Sequence, residues 1–226
     1  MTNDTVRNPM SRLFIVGFCV SATIALIGMD QRIFWMRVIF KTLTTLLLFA
    51  ALGRPDTPFR RKVALGIFFS LVGDVALLSD SALLFKLGTV AFLLAHFSYI
   101  AAFLSVAQRS LYPLVIGGFA VAMSLVTVVL SLPGAAGQGM TIPVVIYATA
   151  LTAMVVAASA TIGGPLLRAP LATVGAFLFY IADSSLAITT FMPDLRIPHP
   201  VLLTTGVYWV GQLSIATTAR AGARDK

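Results

Sequence analysis

Apolar runs of roughly 17 to 25 residues recur along the chain, each long enough to cross a hydrocarbon layer of ~30 Å as a helix. Short breaks of turn and charge chemistry separate them: "DQR", "GRPDTPFRRK", "SDS", "QRS", "LPGAAGQG", "GGPLLRAP" and "PDLRIPHP". No soluble fold of this size buries so much apolar surface. The pattern predicts an all-α polytopic membrane protein, one transmembrane domain over residues 1–226. Its eight helices fall at about 13–29, 33–52, 63–79, 82–106, 111–131, 141–162, 170–192 and 200–219. Charge agrees: 11% of residues are charged, against about a quarter in a soluble domain. The first run resembles a signal peptide but lacks a small-x-small cleavage site, so a retained helix is expected.

The net charge of +8 reads as an orientation signal rather than a nucleic-acid footprint, because no basic patch alternates with exposed aromatic residues. With the amino terminus in the cytoplasm, that side holds Arg7, Arg12, Arg54, Arg60, Arg61, Lys62, Arg109, Arg168, Arg220, Arg224 and Lys226. The other side holds only Arg32, Lys86 and Arg196. Both termini are then cytoplasmic, and a bacterial plasma or inner membrane is the expected location. The single cysteine, Cys19, excludes an internal disulfide and a cysteine zinc cluster, and is expected to serve packing.

Ionisable groups inside spans are costly and face a bundle interior or cavity. Here they are Arg37, Lys41, Asp74, His96 and Asp183, joined by Tyr99, Tyr208 and Gln212. Counted from the expected helix ends, Asp74 lies roughly 17 Å and Asp183 about 20 Å from the cytoplasmic side. From the other side, Lys41 and Tyr208 lie about 12 Å deep, Gln212 about 18 Å and His96 about 21 Å. One shared site near the midplane is expected. Helical spacing puts Gly66, Ser70 and Asp74 on one face of the third helix, and Ala172, Ala176, Tyr180 and Asp183 on a stripe of the seventh. Gly88, Phe92, His96 and Tyr99 share a face of the fourth. "FFSLVGDVALL" and "FLFYIADSSLA" echo each other, each with Phe six residues before the Asp and Leu three after. A four-plus-four parallel repeat would bring the two aspartates together.

The whole chain resembles the YhhN family of lysoplasmalogenase-like membrane proteins. The resemblance rests on "FKTLTT" with Lys41, "GDVALL" with Asp74, "FKLGTVAFLLAHFSY" with His96 and Tyr99, "GAFLFYIADSSLA" with Asp183, and "YWVGQL" with Tyr208 and Gln212. The family commonly shows Lys-Pro and Ser-Asp where this chain has Lys41-Thr42 and Ala182-Asp183. The resemblance implies hydrolysis of the vinyl-ether bond of a lysoplasmalogen. The products are a fatty aldehyde and a glycerophospho-choline or -ethanolamine. The lysophospholipid is the expected partner, and neither cofactor nor metal is required.

Vinyl-ether hydrolysis needs an acid that protonates the β-carbon and a group that aims water at the α-carbon. Two carboxyl groups in unlike environments divide such work. Asp74 and Asp183 are the candidate catalytic pair, and the one nearer Lys41 or His96 is expected to stay ionised. Tyr99, Tyr208 and Gln212 are candidates for orienting water or the glycerol oxygen. Lys41 is read as a head-group contact or as a structural counter-ion. Arg37 is expected to snorkel to the surface, Asp80 and Lys86 to be solvated, His199 to lie in a loop, and Trp35 and Tyr112 to anchor at interfaces.

Two other functions compete. Gly73-Asp74 echoes the Gly-Asp motif of intramembrane aspartyl proteases, but Asp183 follows Ala182 rather than Tyr, and no Pro-Ala-Leu occurs. A proton-coupled transporter uses Asp and His relays, yet needs helices interrupted at midspan, and the prolines here sit at span ends.

Overall fold

The computed structural model describes residues 12–222, which form eight α-helices and no strand. They are α1 (Arg12–Asp30), α2 (Phe34–Leu52), α3 (Pro58–Ala76), α4 (Ala82–Leu104), α5 (Tyr112–Gly137), α6 (Thr141–Ser159), α7 (Ala169–Phe191) and α8 (Val207–Ala221). Six of them, all except α3 and α8, are long and apolar enough to cross a membrane. α3 misses that mark because Arg60, Arg61, Lys62 and Asp74 lie within it, and α8 because a π-helical turn, Leu202–Gly206, takes up its first residues. Large apolar side chains stand exposed around the bundle, among them Val16 on α1, Leu43 on α2, Val90 on α4, Leu125 on α5, Ile146 on α6 and Val174 on α7. Such a belt is stable only against lipid, so the protein is integral to a membrane.

The expected ends shift where charge or proline was read as a break. The third helix begins at Pro58, five residues before the position expected. Thr57 caps it by accepting from the Arg60 amide, and Pro58 occupies the first turn, where its missing N–H costs nothing. The basic residues of that turn find backbone acceptors. Arg60 donates to the carbonyls of Ala219 and Arg220 at 2.9 and 2.8 Å, and Lys62 donates to Ala101 at 3.0 Å. These bonds clamp the start of α3 to the ends of α8 and α4. α5 likewise runs through Pro133 to Gly137, so most of "LPGAAGQG" is helix rather than turn.

Asp80 and Lys86 are exposed, Trp35 and Tyr112 stand exposed in the first turns of α2 and α5, and His199 lies in the turn before helix 8. Cys19 is exposed on the outer face of α1 rather than packed. Arg37 is half-buried; its guanidinium stands over the Phe34 ring in the first turn of α2 and donates to the carbonyl of Leu78 in the α3–α4 connection at 3.4 Å.

Arg54, Arg60, Arg61, Lys62, Arg109, Arg168 and Arg220 gather at one end of the bundle, here the basic end; Arg7, Arg224 and Lys226 lie outside the described residues. Each helix packs on its neighbour in sequence except across the α4–α5 connection, and α2–α8 and α4–α6 contacts close the bundle. The α7–α8 crossing depends on paired glycines: a Cβ on Gly175 or Gly211 would sit 2.7 Å from the other's carbonyl oxygen. The four-plus-four repeat is not established. α4–α6 corresponds to α8–α2, but α5 packs on α7 without a comparable contact of α1 on α3.

Candidate active site within the bundle

The helix faces expected from spacing are the faces that turn inward. Gly66, Ser70 and Asp74 of α3, Gly88, Phe92, His96 and Tyr99 of α4, Ala172, Ala176, Tyr180 and Asp183 of α7, and Tyr208 and Gln212 of α8 are all buried. What spacing did not show is how they divide. They form two polar clusters with aromatic rings between them.

The first cluster is an ion pair closed on every side. Asp74 is 2% exposed and Lys41 5%. Lys41 Nζ lies 3.2 Å from Asp74 Oδ1. Asp74 Oδ2 accepts from the Thr45 hydroxyl at 2.7 Å and from the Tyr208 hydroxyl at 3.0 Å. Thr45 Oγ1 in turn accepts from Trp209 Nε1 at 3.3 Å. Thr45 follows Lys41 by one turn of α2, so a single helix face supplies the cation and a hydroxyl donor. Lys41 is thus paired with Asp74. One turn towards the basic end, Gln212 donates to Ser70 at 2.7 Å and accepts from Tyr99 at 2.5 Å. Gly66 makes room for this layer, since a Cβ there would overlap the Tyr99 ring. A buried pair whose remaining acceptors are satisfied is tolerated, whereas loss of one partner costs about 3–5 kcal/mol.

The second cluster is open. Asp183 is 8% exposed, and its Oδ2 accepts from the Tyr147 hydroxyl at 2.5 Å. His96 Nε2 lies 3.5 Å from the same oxygen without making a hydrogen bond. Asp183 and Tyr147 form part of the wall of a narrow slot between α4, α5, α6 and α7. Only about 70 Å³ of the slot admits the centres of water-sized molecules. It runs from Phe85, Met140 and Phe191, at the end away from the basic loops, down to Leu151 and Tyr180. Apolar side chains dominate its lining. The Tyr180 hydroxyl, on this wall one turn from Asp183, is buried without a partner.

Rings separate the clusters. Phe179 packs with its centroid 5.0 Å from Tyr208 and 4.8 Å from His96, and Phe92 stands 5.8 Å from Tyr208. Asp74, Lys41, His96, Tyr99, Tyr208 and Gln212 do not line the slot; Asp183 does. The depths differ from those expected as well. With α3 running from Pro58 to Ala76, Asp74 sits two residues from the helix end, about 24 Å from its start.

Sequence reasoning missed Tyr147 and Thr45 and took Tyr180 only as part of a stripe. A signal for Tyr147 existed. Tyrosines concentrate at membrane interfaces, and Tyr147 lies about 9 Å inside α6, too deep for that belt.

A bundle of apolar helices enclosing two carboxylates, one sealed and one on a cavity wall, defines a polytopic membrane protein with a buried acid site. The chain belongs to the YhhN family, whose family model matches residues 36–219. No curated protein and no solved structure matches it.

Proposed function

We propose that the protein is an intramembrane hydrolase that cleaves the vinyl-ether bond of a lysoplasmalogen, releasing a fatty aldehyde and a glycerophospho-alcohol. The observation that carries this reading is Asp183, tied to Tyr147 and facing His96, on the wall of a narrow apolar slot. Family membership is consistent with it.

The chemistry needs one proton delivered and later recovered. Asp183 carries that proton and transfers it to the β-carbon, leaving an oxocarbenium-like cation across the α-carbon and the ether oxygen. The new carboxylate then stabilises this cation at short range in a medium poor in water. Water adds to the α-carbon, and its spare proton returns to Asp183. His96, behind the slot wall with Nε2 3.5 Å from Asp183 Oδ2, supports the carboxyl group through this exchange. The hemiacetal passes its hydroxyl proton to the ether oxygen and collapses to aldehyde and alcohol. Tyr147 fixes the carboxyl rotamer, and the unpartnered Tyr180 hydroxyl donates to the substrate oxygen.

The roles of the two aspartates are then unequal. Asp74 already faces a cation and two donors, so it acts from behind the aromatic partition, holding Tyr208 and through it the Phe92 and Phe179 rings. Membrane location suits the substrate, whose chain already lies in lipid.

The test is aldehyde release by purified protein across a panel of lysoplasmalogens, lysolipids and alkyl ethers. Release from vinyl ethers alone, lost in Asp183→Asn, supports the reading. Turnover of acyl lysolipids with vinyl ethers untouched, or full activity in Asp183→Asn, overturns it.

A further inference from the structure

The slot is not the only opening on α6. A groove between α4, α5 and α6 lies on its far side, towards the basic end, and encloses about 630 Å³ open to the centres of water-sized molecules. Val128 and Ala148 line both the slot and the groove. The groove follows α6 to Ala160, about 20 Å beyond Tyr147.

Its lining is mostly apolar. Small residues, Ala148, Ala153 and Ala157, form its floor on α6. The threonines along it, Thr149 and Thr152, turn their hydroxyls back onto the carbonyls of Val145 and Ala148 at 2.8 and 2.9 Å. They therefore present methyl groups to the groove and offer it no donor. Ser124 is the one other hydroxyl on the lining and no charged side chain reaches it, so the groove suits a hydrocarbon chain better than a head group.

We propose that this groove holds the hydrocarbon tail of the lysolipid whose reactive bond lies against Asp183, and that its length sets chain-length selectivity. The inference rests on the hydrolase reading for its substrate. The tail leaves the slot between Val128 and Ala148 and lies along α6. Lipid tails are as apolar as the groove, so burial as such gives no preference. Selectivity comes from the fit of the chain along the groove, whose α6 side ends at Ala160.

The decisive variant is Ala153→Phe. Ala153 is exposed on the groove floor, so a larger side chain there fills the groove without overpacking the core. The measurement is kcat/KM for vinyl-ether lysolipids of short and long chain. Ala153→Phe is expected to lower the long-to-short ratio by about tenfold, the scale on which apolar pockets discriminate methylenes. Leu46→Phe, on the lipid-facing side of α2, leaves the ratio unchanged. An unaltered ratio in Ala153→Phe overturns the proposal.

A second measurement is independent of turnover. A lysophosphocholine with a diazirine at its chain end, photolysed in the purified protein, is expected to label residues 149–160, and an excess of unlabelled lysolipid to suppress that labelling. Labelling spread over all lipid-facing helices, or not suppressed, overturns the proposal even if no lipid is hydrolysed. Suppressible labelling without hydrolysis leaves the groove standing and removes only the hydrolase reading.

Discussion

Asp74 and Asp183 are both aspartates buried within the helix bundle, and the structure treats them in opposite ways. Asp74 has a cation on one oxygen and two hydroxyls on the other. Asp183 has one phenol, a nearby imidazole that does not bond to it, and a cavity in front. A carboxylate with every acceptor position taken organises its neighbours. One with acceptor capacity left over can exchange a proton with something that arrives. Burial alone does not distinguish a structural acid from a reactive one; the completeness of its partners does.

The comparison breaks first at Asp183. Asp183→Asn keeps an acceptor for Tyr147 but cannot deliver a proton. Activity is expected to fall by about a thousandfold, within the range for loss of a general acid, with little change in thermal unfolding. Equal losses of stability and activity would put Asp183 in the same class as Asp74.

Replacing Asp74 has the converse effect. Asp74→Ala leaves Lys41 charged and unpaired, and a loss of about 3–5 kcal/mol is expected in denaturant or thermal unfolding. The double variant Lys41→Met with Asp74→Leu should recover most of it, because neither charge remains buried. A double-mutant cycle without coupling would show that the Lys41–Asp74 ion pair does not stabilise the fold.

Smaller effects sharpen the picture. Tyr147→Phe removes the only hydrogen bond to Asp183 from the described residues. It should lower kcat about tenfold, equivalent to about 1.4 kcal/mol and within the range for an ordinary intramolecular hydrogen bond, with KM nearly unchanged. Tyr208→Phe removes one of the two hydroxyl donors to Asp74. It should cost about 1–2 kcal/mol of stability and change turnover by less than Tyr147→Phe does.

Much of this was legible in the chain. Charges inside apolar runs named Lys41, Asp74, His96 and Asp183, because a membrane tolerates them only where they are enclosed. Helical spacing then chose the inward faces correctly. Helix ends were harder. Arg60, Arg61 and Lys62 read as a polar break, yet they fit the start of a helix because the carbonyl ends of neighbouring helices receive Arg60 and Lys62 and the carbonyl of Pro55 receives Arg61. That is a tertiary fact with no local signature. The division into two clusters was also invisible, since it depends on Phe92 and Phe179, and phenylalanine in an apolar run carries no positional signal. Thr45 was missed because a threonine in a transmembrane helix usually returns its hydroxyl to its own backbone. Here that hydroxyl goes to Asp74 instead.

The Lys41–Asp74 pair has a consequence for how the protein is made. Ribosomes deliver α2 before α3, so the ammonium meets the bilayer before its carboxylate exists. A lone lysine at the centre of a helix disfavours insertion by about 2.5–3.5 kcal/mol, and α2 gains a neutralising companion only when α3 emerges. The two segments are thus expected to enter lipid as a hairpin, and Tyr208 completes the enclosure when the last helix is synthesised. A nascent chain halted after α2 would hold an unmatched positive charge in the membrane, a mark by which quality-control proteases can recognise an unfinished product.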